Sequence, residues 1–231
     1  MGELSKVKVA LLGFGTVGTG VYKLIERQRE EMPFKVGADL VVDKILVRDK
    51  NKKREGIESS LLTDKWEDII LDDDIQIVVE VMGGIEPAYT YIMEALKAGK
   101  NVVTANKDLI AEYGKELLDT AEENGCDLLF EASVAGGIPI LRPLKHCLAG
   151  NHLTEVMGIV NGTTNFILTK MAEDGMEFKE ALALATKLGY AEADPTADIE
   201  GYDAGRKVAW GTMAMLAMMI TRATMKMPNR I

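Results

Sequence analysis

Cysteine and histidine, the usual ligands of transition metals, are scarce in this 231-residue sequence. It contains two cysteines, Cys126 and Cys147, and two histidines, His146 and His152. The cysteines fit no metal or disulfide framework, so we expect a reduced, cytoplasmic protein. Neither histidine has the spacing of a metal ligand, and both are interpreted as structural or exposed.

The sequence also lacks an excess of positive charge and any long apolar run. Its 27 basic and 36 acidic residues give a net charge of −9, which argues against broad binding to nucleic acid or anionic membranes. The most apolar late stretch, residues 208–220, is too short to span a bilayer and is predicted to be a buried helix. Residues 7–12 are apolar but run straight into glycines, which is not a secretory signal. We therefore expect neither a nucleic-acid nor a membrane partner.

A short glycine motif lies near the start of the chain. Its residues are Gly13, Phe14, Gly15, Thr16, Val17 and Gly18. They match G-x-G-x-x-G, which in dinucleotide-binding proteins turns tightly, admits a pyrophosphate and packs a helix on a strand. A bare match is weak, and an ordinary glycine turn is the alternative. Here the motif follows a strand pattern and opens a helix pattern, as dinucleotide binding requires.

Strand and helix patterns alternate up to about residue 130. Strands are predicted over residues 7–12, 40–47, 75–82, 101–104 and 127–130, and helices over 16–31, 66–71, 87–98 and 108–123. This alternation predicts a Rossmann-type domain, with a parallel sheet covered by helices on both faces. Beyond a glycine-rich loop, helices are predicted over 140–148, 163–172 and 178–188, and a strand over 154–160. We place a nucleotide-binding domain at 1–135 and an α+β substrate, catalytic and dimerisation domain at 136–231.

The end of the second predicted strand bears on the choice of nicotinamide cofactor. Arg48 can meet a 2′-phosphate, whereas Asp49 would hold a free ribose hydroxyl. Together with the basic residues 52–54, Arg48 favours NADP, and NAD stays open. A solvated basic loop also explains residues 52–54.

A late segment, residues 189–207, places several carboxylates beside one lysine. Asp203 and Lys207 are four residues apart, so a helix would put them on one face. Such a lysine can hold an ammonium near a reacting oxygen and donate a proton to it. In isolation, a solvated surface pair is the more ordinary explanation of this spacing.

Five separate blocks carry a family resemblance. They are residues 79–84 (VEVMGG), 95–107 (ALKAGKNVVTANK), 130–139 (FEASVAGGIP), 161–165 (NGTTN) and 189–195 (GYAEADP) continued to Asp203 and Lys207. In order and spacing, from about Val7 to about Met215, the chain resembles homoserine dehydrogenase. The resemblance implies the reversible, nicotinamide-dependent interconversion of aspartate 4-semialdehyde and homoserine. That step lies on the route to threonine, methionine and isoleucine.

The resemblance also implies roles for individual residues. Lys207 falls on the family's proton-donating lysine, and Lys107 on a lysine near the nicotinamide and substrate. Glu192 and Asp203 fall on acids that hold the amino group of the small-molecule substrate. The implied cofactor contacts include Thr104 and Gly189, and a loop for a monovalent cation, with sodium expected, includes Glu131, Val134, Gly136 and Ile138. A surface lysine at a helix start and an acid at a strand end remain the ordinary explanations of Lys107 and Glu131.

The end of the chain departs from the family pattern. Members continue well past Ile231, and residues 220–231 do not resemble their continuation. We therefore expect a C-terminally shortened member with an incomplete second domain, forming a homodimer. Two hypotheses stand: a working enzyme, or a catalytically impaired remnant that only binds dinucleotide. Another aldehyde- or amino-acid-linked dehydrogenase would explain the early glycines but not the late block.

Overall fold

The computed structural model describes residues 5–54, 56–134, 136–148, 150–155, 157–191 and 194–208. The chain divides into two compact units, residues 1–136 and residues 137–231. Within the described ranges, no helix is long and apolar enough to cross a membrane.

A six-stranded parallel sheet organises the first unit. Its strands are β1 (Lys6–Leu12), β2 (Asp39–Leu46), β3 (Leu62–Thr63), β4 (Ile75–Glu80), β5 (Asn101–Thr104) and β6 (Leu128–Leu129). Their order is β3-β2-β1-β4-β5-β6, and every neighbouring pair is parallel. The predicted Rossmann-type sheet is thereby confirmed. The strand order reverses between β1 and β4, the position at which such sheets bind dinucleotides.

Helices cover this sheet because β1 and β4 are apolar on both faces, as buried parallel strands are. They are α1 (Thr16–Arg27), α2 (Met32–Val36), α3 (Glu67–Ile70), α4 (Ala88–Lys97) and α5 (Lys107–Glu123). Leu11, Ile45, Ile92 and Leu117 are completely buried. Burying side chains of this size stabilises the fold by roughly 1.5–3 kcal/mol each.

Two local expectations for this unit were wrong, and one short strand was missed. The helix predicted over 16–31 ends at Arg27, and a separate α2 follows with Pro33 in its first turn. Proline fixes its own φ and lacks an N–H, so it starts a helix more readily than it continues one. The last strand is shorter than predicted, Leu128–Leu129. The two-residue β3, which follows a 3-10 turn at Ser59–Leu61, was not predicted at all.

The described part of the second unit is helical. It contains a π-helical turn (Pro143–Cys147), α6 (Gly162–Asp174), α7 (Phe178–Lys187), α8 (Thr196–Ile199) and a further helix, α9, described over residues 202–208. The buried side chains of Ile167, Ala181, Ala185 and Ala191 pack together between these helices. Alanine lets α6 and α7 approach closely.

The strand predicted over 154–160 is wrong. The described residues of that range, all but 156, form neither helix nor strand. The β-branched and apolar residues of this range favour an extended chain, but a strand needs a neighbour to accept its backbone hydrogen bonds. The described residues of this unit contain no strand that supplies one. Met157 and Ile159 are accordingly 83% and 76% exposed. Most of the helix predicted over 208–220 lies outside the described residues.

Candidate functional site

The three motif glycines at the β1–α1 turn differ in how closely other atoms surround them. Gly13 has φ +100, and a Cβ there would lie 3.0 Å from the carbonyl oxygen of Val81. A Cβ on Gly18 would lie 2.3 Å from the carbonyl oxygen of Gly13. A Cβ on Gly15 would meet nothing within 4 Å. The first and third glycines therefore close the turn, and the second leaves open space beside it.

The start of α1 adjoins that open space. Gly15 is the N-cap residue and offers no side chain to cap the helix. The first backbone N–H groups of a helix have no partner inside it and favour an anion. Thr16 and Val17 are exposed there, while Phe14 packs edge-on against Tyr22. The turn thus has the shape and the donors that a pyrophosphate requires.

The basic groups after β2 are not equally available. Lys50 pairs with Asp64 at 2.9 Å. The guanidinium of Arg54 donates to the backbone carbonyls of Asp49 and Lys52 at 3.0 and 2.9 Å. Arg48 is exposed, and the described residues supply its side chain with no hydrogen bond or ion pair. A 2′-phosphate at this strand end would meet Arg48 first.

At the carboxyl ends of β4 and β5, a set of buried polar groups, here called the Glu80 cluster, comprises Glu80, Thr104 and Asn106. Glu80 is completely buried. One carboxylate oxygen accepts the N–H groups of Met82 and Gly83 at 2.8 and 3.2 Å. The other accepts the Thr104 hydroxyl at 2.6 Å. The cluster ties the loop after β4 to the end of β5.

Asn106 extends this tie to α5. Its backbone N–H donates to the Thr104 hydroxyl at 3.0 Å, and its amide donates to the Gly84 carbonyl at 2.6 Å. Its side-chain oxygen caps α5 by accepting the N–H of Leu109 at 3.2 Å. Lys107, exposed, is the first residue of that helix. The cluster therefore also fixes where the Lys107 side chain leaves the backbone.

In the second unit, Asp203 and Lys207 are not a solvated surface pair. Their Oδ2 and Nζ atoms lie 2.6 Å apart, and the Asp203 side chain is 9% exposed. The ammonium also donates to the Val160 carbonyl at 2.6 Å. The amide nitrogen of Asn161 donates to Asp198 and to Asp203, both at 2.8 Å. These four side chains are called the Asp203 cluster.

Asn161 also forms the start of α6. Its side-chain oxygen accepts the N–H of Thr164 at 2.8 Å, so the residue caps the helix while its amide holds the two acids. Asp194 serves its own turn instead. It accepts the Thr196 hydroxyl at 2.6 Å and the Thr196 N–H at 3.1 Å, and these hydrogen bonds lower the pKa of its carboxyl. Glu192 lies outside the described residues.

The other implied site residues are less distinctive in the structure. Thr104 is 1% exposed, and its hydroxyl is taken up within the Glu80 cluster. Gly189 has φ +80 just past the end of α7, a position that favours glycine for structural reasons alone. Both cofactor contacts remain predictions.

The implied cation loop offers oxygen donors of the right kind. Glu131 begins a 3-10 turn after β6, and Val134 follows that turn. Gly136 and Ile138 are exposed. Among the described residues, no group of three or more histidine, cysteine, aspartate or glutamate side chains could hold a metal. One carboxylate with backbone carbonyls suits a hard cation, and this site too remains a prediction.

Sequence reasoning assigned no role to Glu80 or Asn161, although both lie in the family blocks. An acid at the end of an apolar strand, followed by two glycines, was the available signal for Glu80. For Asn161 the signal was an asparagine directly before a helix start, the N-cap position. Neither signal identifies the distant partners, which only the fold brings together.

Two family models match this chain, one in each half. A family model described as the NAD binding domain of homoserine dehydrogenase matches residues 13–131, and one described as homoserine dehydrogenase matches residues 139–228. The chain belongs to the homoserine dehydrogenase family. Such enzymes are oxidoreductases. The match to the NAD binding domain begins at Gly13, the first glycine of the turn.

Individual homoserine dehydrogenases show how much is shared. That of Bacillus subtilis strain 168 is 52% identical over 207 residues, which are 89% of this chain and 48% of the relative. The crystal structure of the Staphylococcus aureus enzyme at pH 8.5 matches with a TM-score of 0.79 and 50% identity, covering 91% of this chain and 50% of that one. A hyperthermophilic archaeal homoserine dehydrogenase in complex with NADPH matches with a TM-score of 0.72 and 32% identity, covering 88% and 68%. The chain spans about half the length of the curated relatives it matches.

Proposed function

We propose that this chain catalyses the reversible, NAD(P)H-dependent reduction of L-aspartate 4-semialdehyde to L-homoserine. The observation that carries the proposal is the ammonium of Lys207, held by a buried acid and a backbone carbonyl in a chain of this family. The reaction would be a step towards threonine, methionine and isoleucine.

Lys207 is the proposed proton donor. An ammonium carries three protons, and two are directed at Asp203 and Val160. One donor remains for the oxygen of a substrate aldehyde. When bound, the cofactor supplies a hydride to the aldehyde carbon, and negative charge develops on that oxygen. The Lys207 ammonium would stabilise this negative charge and donate a proton to the oxygen.

Two acids are proposed to bind the other end of the substrate. Asp203 and Glu192 are proposed to hold its α-ammonium group through charge-assisted hydrogen bonds. Asp203 is fixed for this role by Asn161. Lys107, at the start of α5, is proposed to lie near the nicotinamide and substrate.

NADP is the proposed preferred cofactor, with NAD as the weaker one. Support comes from Arg48, which is exposed after β2, while Lys50 and Arg54 have other partners. Asp49, the residue that would favour NAD, accepts the N–H of Asn51 at 2.9 Å. The match to an archaeal relative in complex with NADPH agrees with this choice.

Three further features belong to the proposal. A monovalent cation, sodium, would bind through Glu131 and backbone oxygens of Val134, Gly136 and Ile138. The protein would act as a homodimer. It would act in the cytoplasm on its small-molecule substrate, without nucleic-acid or membrane partners.

The proposal is tested by adding aspartate semialdehyde to the purified chain with NADPH or NADH and following absorbance at the nicotinamide band. Cofactor binding is measured in parallel from nicotinamide fluorescence. We expect binding and turnover, with NADPH preferred. Binding without turnover would favour the alternative of a remnant that only binds dinucleotide. No binding of either cofactor would contradict both.

A further inference from the structure

Glu80 is the most deeply buried charged side chain among the described residues, and the reaction does not use it. It is 0% exposed at the end of β4. Its three donors, two backbone N–H groups and one hydroxyl, are all uncharged. Within the described residues no lysine or arginine lies at ion-pair distance from it. A buried charge without a counterion is costly to keep.

The groups that Glu80 holds lie beside the glycine turn. Its acceptors fix the N–H groups of Met82 and Gly83. A Cβ on Gly13 would lie 3.1 Å from the Cα of Met82, so this loop forms one wall of the turn. Through Thr104 and Asn106 the same carboxylate reaches the start of α5. One side chain thus sets two backbone segments at the sheet edge where α/β proteins bind ligands.

The strand order indicates which half of a dinucleotide would face the two backbone segments that Glu80 fixes. In a doubly wound sheet of this order, the pyrophosphate lies at the start of α1 and the adenosine ribose near the end of β2. The nicotinamide half then extends to the other side of the switch point, over β4 and β5. We propose that Glu80 is a positioning residue for the nicotinamide half of the cofactor, which it prepares by fixing residues 82–84 and 104–107 before binding. The proposal rests on the proposed function only in taking a nicotinamide dinucleotide as the ligand.

Lys100 provides a matched control. It is 4% exposed, in the same sheet layer, at the opposite, amino-terminal edge. Its ammonium donates to the backbone carbonyls of Asp72 and Ile75 at 2.6 and 2.9 Å. It is also a buried charge held by neutral backbone groups, but it lies away from the edge that binds ligands. Its loss should reduce stability without changing how the cofactor binds.

The test compares Glu80→Gln with Lys100→Met. Glutamine keeps the shape and one carbonyl acceptor but places an amide where the second acceptor was. Three quantities are measured on the full chain: thermal unfolding, hydrogen exchange of the Met82 and Gly83 amides without ligand, and NADPH affinity by fluorescence titration. We expect Glu80→Gln to speed exchange at both amides and weaken NADPH binding about tenfold, since hydrogen bonds to charged groups contribute on this scale. Lys100→Met should lower the melting temperature at least as much and leave affinity within twofold.

Thr104→Val and Thr104→Ser provide a second route should Glu80→Gln not fold. Valine removes the hydroxyl that donates to Glu80, and serine keeps it, so only valine should weaken NADPH binding. Unchanged amide exchange in Glu80→Gln, or in Thr104→Val, overturns the inference. So does faster exchange with unchanged affinity, or an affinity loss that Lys100→Met shares. Failure of the unaltered chain to bind NADPH or NADH would instead remove the proposed function, and this inference with it.

Discussion

Glu80 and Asp203 are both buried carboxylates in candidate sites, yet they have different partners. Within the part of the chain that the structure describes, Glu80 accepts hydrogen bonds from two backbone N–H groups and one hydroxyl, so its carboxylate fixes the backbone. Asp203 accepts from the ammonium of Lys207, so its charge fixes a group that can itself transfer a proton. On the proposed roles, the first unit would recognise its ligand by backbone shape, and the second would act by side-chain charge. Variants of the first should change cofactor affinity, and variants of the second should change turnover.

The largest expected effect is that of Gly15→Val, which fills the open space at the glycine turn of the first unit. A Cβ at Gly15 would meet nothing within 4 Å in the free protein, so we expect the fold to survive. The valine methyls would occupy the space a pyrophosphate needs, and dinucleotide binding should fall below detection by fluorescence titration. Gly20→Ala is the control, because Gly20 is equally open but lies within α1. It should bind normally and be more stable by about 0.5–1 kcal/mol. Normal binding by Gly15→Val would remove the turn from the site.

In the second unit, Lys207→Ala removes the charged ammonium that is proposed to donate the proton. Removing the proton donor should lower the rate of aspartate semialdehyde reduction by about 100-fold or more, with NADPH affinity unchanged. Lys170→Ala is the control, because Lys170 pairs with Asp174 at the same spacing of four but on an exposed surface. It should leave the rate unaltered. A Lys207→Ala variant that keeps most of its rate would contradict the assignment.

Asn161→Asp tests how the second unit tolerates its charges. The change replaces the amide that donates to Asp198 and Asp203 with a third carboxylate. We expect a loss of about 2 kcal/mol in the free energy of unfolding at pH 7, measured by urea denaturation. Repulsion raises the pKa of the new carboxyl in the folded state. The deficit should therefore be complete at neutral pH and shrink as the pH falls towards about 4.

Asn161→Ser separates the two roles of this residue. Serine still caps α6 but cannot donate to both acids. It should lose less stability than the aspartate variant, and its deficit should vary less with pH in this range, because serine adds no titrating group. A pH-independent loss in Asn161→Asp would show that repulsion between carboxylates is not the cause.

The smallest expected effect sharpens the cofactor choice. Arg48→Ala should weaken NADPH binding about tenfold, the scale of one charge-assisted hydrogen bond, and leave NADH affinity nearly unchanged. Arg54→Ala is the control, since that guanidinium is engaged with Asp49 and Lys52. Equal weakening of both cofactors by Arg48→Ala would refute its role at the 2′-phosphate.

Sequence patterns predicted the sheet because its signals are local. β1, β4, α4 and α5 follow from apolar runs, helical spacing and glycines at element ends. The glycine turn was predictable for the same reason. The wrong strand over 154–160 had a good local pattern, and what it lacked was a partner, which no local pattern reports.

The candidate site was predictable only in part. Asp203 and Lys207 are four residues apart, so their pairing follows from helix geometry. Thr104 and Glu80 are 24 residues apart, and Asn161 and Asp203 are 42 apart. Such pairs depend on how helices and strands pack against one another. Neither composition nor periodicity predicts that packing. Glu192 and most of the helix predicted over 208–220 lie outside the described residues.

The hydrogen bonds of Asn161 have a consequence for how this position can evolve. Its carbonyl oxygen accepts from Thr164, and its two amide protons go to Asp198 and Asp203. No other side chain of that length offers a carbonyl and two amide protons together. A substitution of Asn161 is therefore not expected to be neutral unless one of the two aspartates changes first. The order in which these three positions are substituted should matter, so that each change is tolerated or rejected according to the one before it.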